Sequence, residues 1–151
     1  MTTGHPFADW AGVWRGEGRG SYPTIADFDY LEELTITPVA GRPVAHWASR
    51  TRDAVSGEPR HAESGFLRGD PEKLELVLAH SFGLLEAATG GRAGGVVRLG
   101  CGPLPGSPGT KQVDAVRRSY EFAGDDLTYR IEMAAVGHPL THHLAAELHR
   151  S

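Results

Sequence analysis

The sequence predicts an all-β fold, a sandwich or a barrel, and three observations carry that expectation. Its 20 glycines and 10 prolines are spread along the chain rather than gathered into one linker. They cut it into short pieces such as GRPVAHW, SGEPRHAESGFLRGDPEK, AATGGRAGGV, GPLPGSPGTK and AGDDL, the spacing of short strands joined by turns. Several pieces between these turns alternate with a period of two, as a strand with one buried face does. Finally, 151 residues with no internal repeat and no dividing linker are most simply one domain over 1–151, long enough to bury a core or enclose a cavity.

The elements follow in order. Between Gly12 and Ile25 the chain reads GVWRGEGRGSYPTI. As a strand it sets Gly12, Trp14, Gly16, Gly18 and Gly20 on one face and Arg15, Glu17 and Arg19 on the other. A face with one large ring and four absent side chains leaves room for a close approach, either by the barrel itself or by a flat ligand on bare backbone. It is not a phosphate loop, because the lysine and hydroxyl residue that end such a loop are missing. Leu74, Leu76, Leu78 and His80 share one face of a later strand. Val113 to Phe122 is a longer, mixed strand, preceded by a loop from Gly100 to Gly109. In the next strand Leu127, Tyr129, Ile131 and Met133 oppose Thr128, Arg130 and Glu132. The tail, LTHHLAAELHR, is ambiguous. Leu140, Leu144 and Leu148 recur every four residues behind Pro139, as in an amphipathic helix, yet a strand fits the length equally well.

Charge and cysteine content exclude several classes. A formal net charge of -4, with Arg117-Arg118 the only adjacent basic pair, gives no electrostatic case for nucleic acid or an anionic membrane. The start, MTTGHPFADW, has neither the basic nor the apolar region of a signal peptide, and no apolar run approaches the roughly 20 residues that span a bilayer. The single cysteine, Cys101, excludes an intrachain disulfide and a thiolate zinc site and reads as an idle thiol. A reducing cytoplasm is the expected location. No carboxylate pair and no Ser/His/Asp arrangement stands out.

Five segments, in order, resemble the nitrobindins, haem-binding β-barrels related in shape to the lipocalins and fatty-acid-binding proteins. They are GVWRGEGRGSYPTI, with its GxWxGxG and YPTI; GRPVAHWASRT; EPRHAESGFLR; LELVLAHSFGLLE; and MAAVGHPLTHHLAAELHR. Together they span about residues 6 to 150. The resemblance implies an antiparallel, roughly ten-stranded barrel of the calycin type and makes the tail a strand. In that strand alternation would put His143 with Ala145 and Glu147, leaving Leu144 and Leu148 on the other face, where either they pack under a neighbouring loop or a bulge resets the phase.

The resemblance also implies a site. The family's axial haem ligand is the histidine before the leucine of its H-L-x-A motif, here His143, so that His142 faces away. One haem b (iron protoporphyrin IX) per chain is expected. Thr24 and Ile25 match haem-edge positions, Phe28 and Met133 pocket walls, and Lys111 a place where a cation could meet a propionate or simply be solvated. His61 matches a histidine near the distal side, and is otherwise a hydrogen-bonded histidine of the wall. The family's usual [QP]-[ST]-T-G turn reads His80-Ser81-Phe82-Gly83 here. His80 is therefore open between a distal contact and a rim position, while His138 is expected at the surface.

The activity implied is isomerisation of peroxynitrite to nitrate by a ferric haem, with no protein acid or base required. The expected partners are small molecules, peroxynitrite and nitric oxide, with a homodimer allowed by the sequence; neither nucleic acid nor membrane is expected. Two other readings compete: a haem or nitric oxide carrier without catalysis, and a haem-free lipid binder. The lipid binder should lack the axial histidine and hold an arginine or tyrosine inside for a carboxylate. A zinc site from His138, His142 and His143 is disfavoured, because adjacent strand residues diverge.

Overall fold

The computed structural model describes residues 4–151. A 3₁₀ turn, Ala8–Trp10, precedes ten strands: β1 Gly12–Tyr22, β2 Ile25–Pro38, β3 Val44–Asp53, β4 Pro59–Asp70, β5 Lys73–His80, β6 Leu85–Ala93, β7 Val96–Cys101, β8 Val113–Ala123, β9 Asp126–Ala135 and β10 Thr141–Arg150. Each strand pairs antiparallel with its sequence neighbours, and β1 also pairs with β10, which closes the barrel. Closure leaves no free sheet edge. Among the described residues no helix is long and apolar enough to cross a membrane.

Burial follows the period-two pattern that the sequence showed. In β5 Leu74, Leu76 and Leu78 are buried between exposed neighbours, and in β9 Leu127, Tyr129 and Ile131 are. The tail is strand β10, not a helix. Its leucine spacing is resolved by a register shift between His142 and Leu144 against β9. That bulge at His143 resets the alternation, so Ala146 and Leu148 are buried while Glu147 is exposed.

The glycine-rich face of β1 is filled by the protein itself. A Cβ on Gly18 would lie 2.2 Å from the Tyr30 ring, and one on Gly20 would lie 2.1 Å from the Phe28 ring. Both rings come from β2, so two aromatic side chains lie flat across bare backbone. The structural alternative for that face is the one adopted.

In an up-and-down barrel alternate connections fall at opposite ends. The β2–β3, β4–β5, β6–β7 and β8–β9 turns share one end with both termini. There Phe7, Trp10 and Trp14 are buried, Trp10 stacks on Phe122 at 5.0 Å, and the Trp14 indole donates to the Trp10 carbonyl at 3.0 Å. The Arg150 guanidinium lies over the Trp14 ring at 4.3 Å and donates to the carbonyls of Asp9 and Gly124. This end is closed. Each such aromatic buried contributes about 1.5–3 kcal/mol.

Candidate functional site

The β1–β2, β3–β4, β5–β6, β7–β8 and β9–β10 connections gather at the other end, and with them comes every residue that the sequence singled out for a site. Thr24 lies in the turn of the β1–β2 hairpin and Ile25 begins β2, both exposed. Lys111 is exposed in the β7–β8 loop. Phe28 and Met133 are half-buried against the core. Apolar side chains remain uncovered around this mouth: Ile25 is 45% exposed, Phe82 61% and Val136 41%.

His143 stands at the bulge of β10, half-buried. Its Nδ1 lies 3.1 Å from the Ser21 carbonyl at the end of β1. A carbonyl only accepts, so the proton of the neutral ring sits on Nδ1, and Nε2 is left with a lone pair. Tyr22 packs edge-on against the ring at 5.5 Å. The Tyr22 hydroxyl donates to the Met133 carbonyl at 3.0 Å and accepts from the Ala135 amide at 2.9 Å, tying β1 to β9 beneath the histidine. Burial foremost, with the charges of His142 and His61 adding to it and the Ser21 hydrogen bond opposing, holds the His143 pKa below the ordinary imidazole value. The ring stays neutral, the form in which imidazole ligates a metal. His142 points outward, 3.4 Å from Arg130, as expected of the second histidine of the pair. His138, expected at the surface, is half-buried and edge-on to Tyr22 at 5.9 Å.

Across the barrel, His61 and His80 face inward from β4 and β5. His80 Nδ1 lies 3.1 Å from His61 Nε2, and His80 Nε2 lies 2.9 Å from Glu86. Neither is a free rim residue. The His61 ring also rests against Phe82, with centroids 4.8 Å apart.

Beneath the mouth is a buried polar layer that the sequence reading missed. Arg118, 3% exposed, reaches Glu63 through Nη1 at 3.0 Å and Nη2 at 3.1 Å. It also reaches Glu86 through Nε at 2.9 Å and Nη2 at 2.8 Å, and the Tyr120 hydroxyl at 2.9 Å. Trp47 donates to Glu63 at 3.1 Å. Burial alone would raise both carboxyls, but the guanidinium outweighs it and holds Glu63 and Glu86 below the usual carboxylate range. Beside this cluster, Glu32 accepts from Ser49 at 2.5 Å and from the Tyr129 hydroxyl. Here burial wins over these hydrogen bonds, and the Glu32 pKa is pushed up to about 7. The signal for all of these residues was parity. Glu32, Glu63, Glu86 and Arg118 each fall in phase with a buried row of their strand. Cys101 is half-buried, and burial, then the charge of Glu86, pushes its thiol up, which fits an idle side chain.

The arrangement fits a haem at the mouth. An apolar rim surrounds an imidazole whose distal nitrogen is bare and whose orientation is fixed by a backbone carbonyl, the usual outer-shell support of a ligating histidine. It does not fit a fatty-acid clamp. Arg118 and Tyr120 are inside, as such a binder requires, but the guanidinium is already occupied on three nitrogens by Glu63, Glu86 and Tyr120.

Comparison with known proteins agrees with this geometry. Residues 4–150 match the model of the THAP4-like, heme-binding beta-barrel domain. The chain is 47% identical over 144 residues to "Peroxynitrite isomerase 1" of Mycolicibacterium paratuberculosis, covering 92% of this chain and 89% of that one. It is 47% identical over 145 residues to "Peroxynitrite isomerase 1" of Rhodococcus jostii, covering 95% and 81%. The crystal structure of Rv2717c from M. tuberculosis superposes with a TM-score of 0.87 at 41% identity, over 96% of this chain and 94% of that one.

Proposed function

We propose, for a chain that belongs to the THAP4-like, heme-binding β-barrel family, that the mouth of the barrel holds one haem b on His143 and isomerises peroxynitrite to nitrate. When bound, the ferric haem supplies a Lewis-acidic iron at which the weak peroxide bond of the substrate rearranges. Everything else is the work of the polypeptide. The Ser21 carbonyl holds the His143 proton on Nδ1 and so presents Nε2 as the ligand. Burial keeps that ring uncharged. Ile25, Phe28 and Met133 would offer apolar surface to the macrocycle and keep water from the site. Thr24 and Lys111 are exposed, and on this reading either would meet a propionate. His61 lines the opposite side. Isomerisation moves no net proton, which suits a pocket whose carboxylates are locked to Arg118 or hydrogen-bonded to Ser49 and Tyr129.

The observation that carries this reading is the His143 imidazole, anchored through Nδ1 and bare at Nε2 inside an apolar mouth. The same site would take nitric oxide, so a carrier or sensor shares its structure and differs only in rate. Stopped-flow decay of peroxynitrite with the haem-loaded protein separates the two. The expected result is a decay rate that rises linearly with haem-protein and a product shifted toward nitrate. A rate no greater than that of free hemin would leave a carrier.

A further inference from the structure

Below the mouth, His80 and Glu63, which the proposed haem chemistry does not use, form a cluster with His61. Glu86 accepts from Arg118 through both of its oxygens, so the proton of a neutral His80 lies on Nε2, 2.9 Å from Glu86. His80 Nδ1 then carries a lone pair directed into the barrel. It lies 3.1 Å from His61 Nε2 and 3.9 Å from Glu63 Oε1, and His61 Nε2 lies 3.5 Å from the same Oε1. A tetrahedral ion held by nitrogen and oxygen at about 2.0–2.2 Å keeps its ligand atoms about 3.3–3.6 Å apart. The three separations straddle that edge length without any side chain moving.

We propose that His61 Nε2, His80 Nδ1 and Glu63 Oε1 bind one divalent first-row transition-metal ion. Two imidazoles and one carboxylate, with a further position open, are a donor set shared by hydrolytic zinc and non-haem iron(II) sites. For His80 and Glu63 the outer support such a site needs is already built. Glu86 orients His80 through its far nitrogen, giving a carboxylate–histidine–metal relay, and Arg118 fixes both Glu63 and Glu86. Charge has the right sign: the two carboxylates of Glu63 and Glu86 face one guanidinium, leaving a net negative centre in a buried layer. The remaining nitrogen of His61, Nδ1, is buried with no hydrogen-bond partner among the described residues, so this cluster supplies the polar contacts that set its ring. His61 keeps 22% of its side-chain surface exposed, which opens a way in from the mouth. None of the three donors is His143, and because His61 also borders the proposed haem pocket the site is tested in the haem-free chain, where its failure is distinguishable from failure of haem binding.

The test is equilibrium dialysis of the purified full chain against Zn²⁺, followed by X-ray absorption at the zinc edge, beside H80Q, H61Q and H142Q. The expected result is one equivalent per chain with two imidazoles in the coordination shell. Affinity should fall at least about tenfold in H80Q and in H61Q, and stay unchanged in H142Q, which removes a histidine outside the cluster. Failure to retain a stoichiometric ion, or equal affinity in H80Q and the unaltered chain, would overturn the site. Should both cluster variants lose their strand signal in circular dichroism, the absorption spectrum of the unaltered protein decides, and fewer than two imidazoles would overturn it.

Discussion

At one end of the barrel Phe7, Trp10 and Trp14 are buried against Phe122 and capped by Arg150; at the other, Ile25, Phe82 and Val136 stand exposed around His143. The same ten strands reach both ends, so the difference lies in the side chains at their tips. The closed end completes its burial within the chain. The open end leaves apolar surface and an imidazole nitrogen uncovered by the chain itself. Between them lies the Arg118 layer, which must be stable without the ligand. Stability and function are therefore separable along the barrel axis, and substitutions at different heights should show it.

The largest losses of stability belong to the middle and the closed end. Arg118→Met leaves Glu63 and Glu86 buried without their cation and should cost about 3–5 kcal/mol in urea unfolding. Trp14→Ala should cost a similar amount by opening a cavity, about 3–5 kcal/mol. If either variant unfolds with unchanged midpoint, the division of labour is wrong.

The carboxylates of the middle layer separate by pH. Glu32 has a folded pKa raised to about 7, above its unfolded value. Its contribution is thus fully present below the unfolded pKa and is lost as pH rises through about 7, by up to about 3 kcal/mol. Glu63 and Glu86 are depressed, so their contribution is present above the unfolded pKa and lost as pH falls. Denaturation midpoints measured from pH 2 upward should show the decline toward neutrality flatten in Glu32→Gln while the acid limb remains. A variant that keeps the full decline would assign it to another group.

Smaller effects sharpen the boundary. Gly18→Ala drives a Cβ into the Tyr30 ring and should cost about 1–3 kcal/mol, read as a lowered urea midpoint. At the mouth, Phe82→Ser should change stability by no more than about 0.5 kcal/mol while weakening hemin binding measurably. Loss of stability without loss of hemin affinity would place Phe82 in the core instead.

Much of this was legible before the structure. Alternation in Leu74–His80 and Leu127–Met133 showed which faces turn inward, and the ordered family segments pointed to His143. The bulge at His143 stayed open beside packing of the leucines under a neighbouring loop, because nothing local marks it: neither glycine nor proline interrupts LTHHLAAELHR, and the shift appears only against β9. The Arg118 cluster was hidden for a different reason. Its partners Glu63 and Glu86 lie 55 and 32 residues away in the chain, and only barrel closure brings them together. Parity indicated that each points inward but could not pair them.

The most direct test of the central claim is a Soret titration of the haem-free protein with hemin, run beside His143→Ala with circular dichroism on both. A sharp one-to-one endpoint in the unaltered chain, lost or displaced in a folded His143→Ala, is the predicted result. Indistinguishable spectra from two folded proteins would contradict it and remove His143 from the iron.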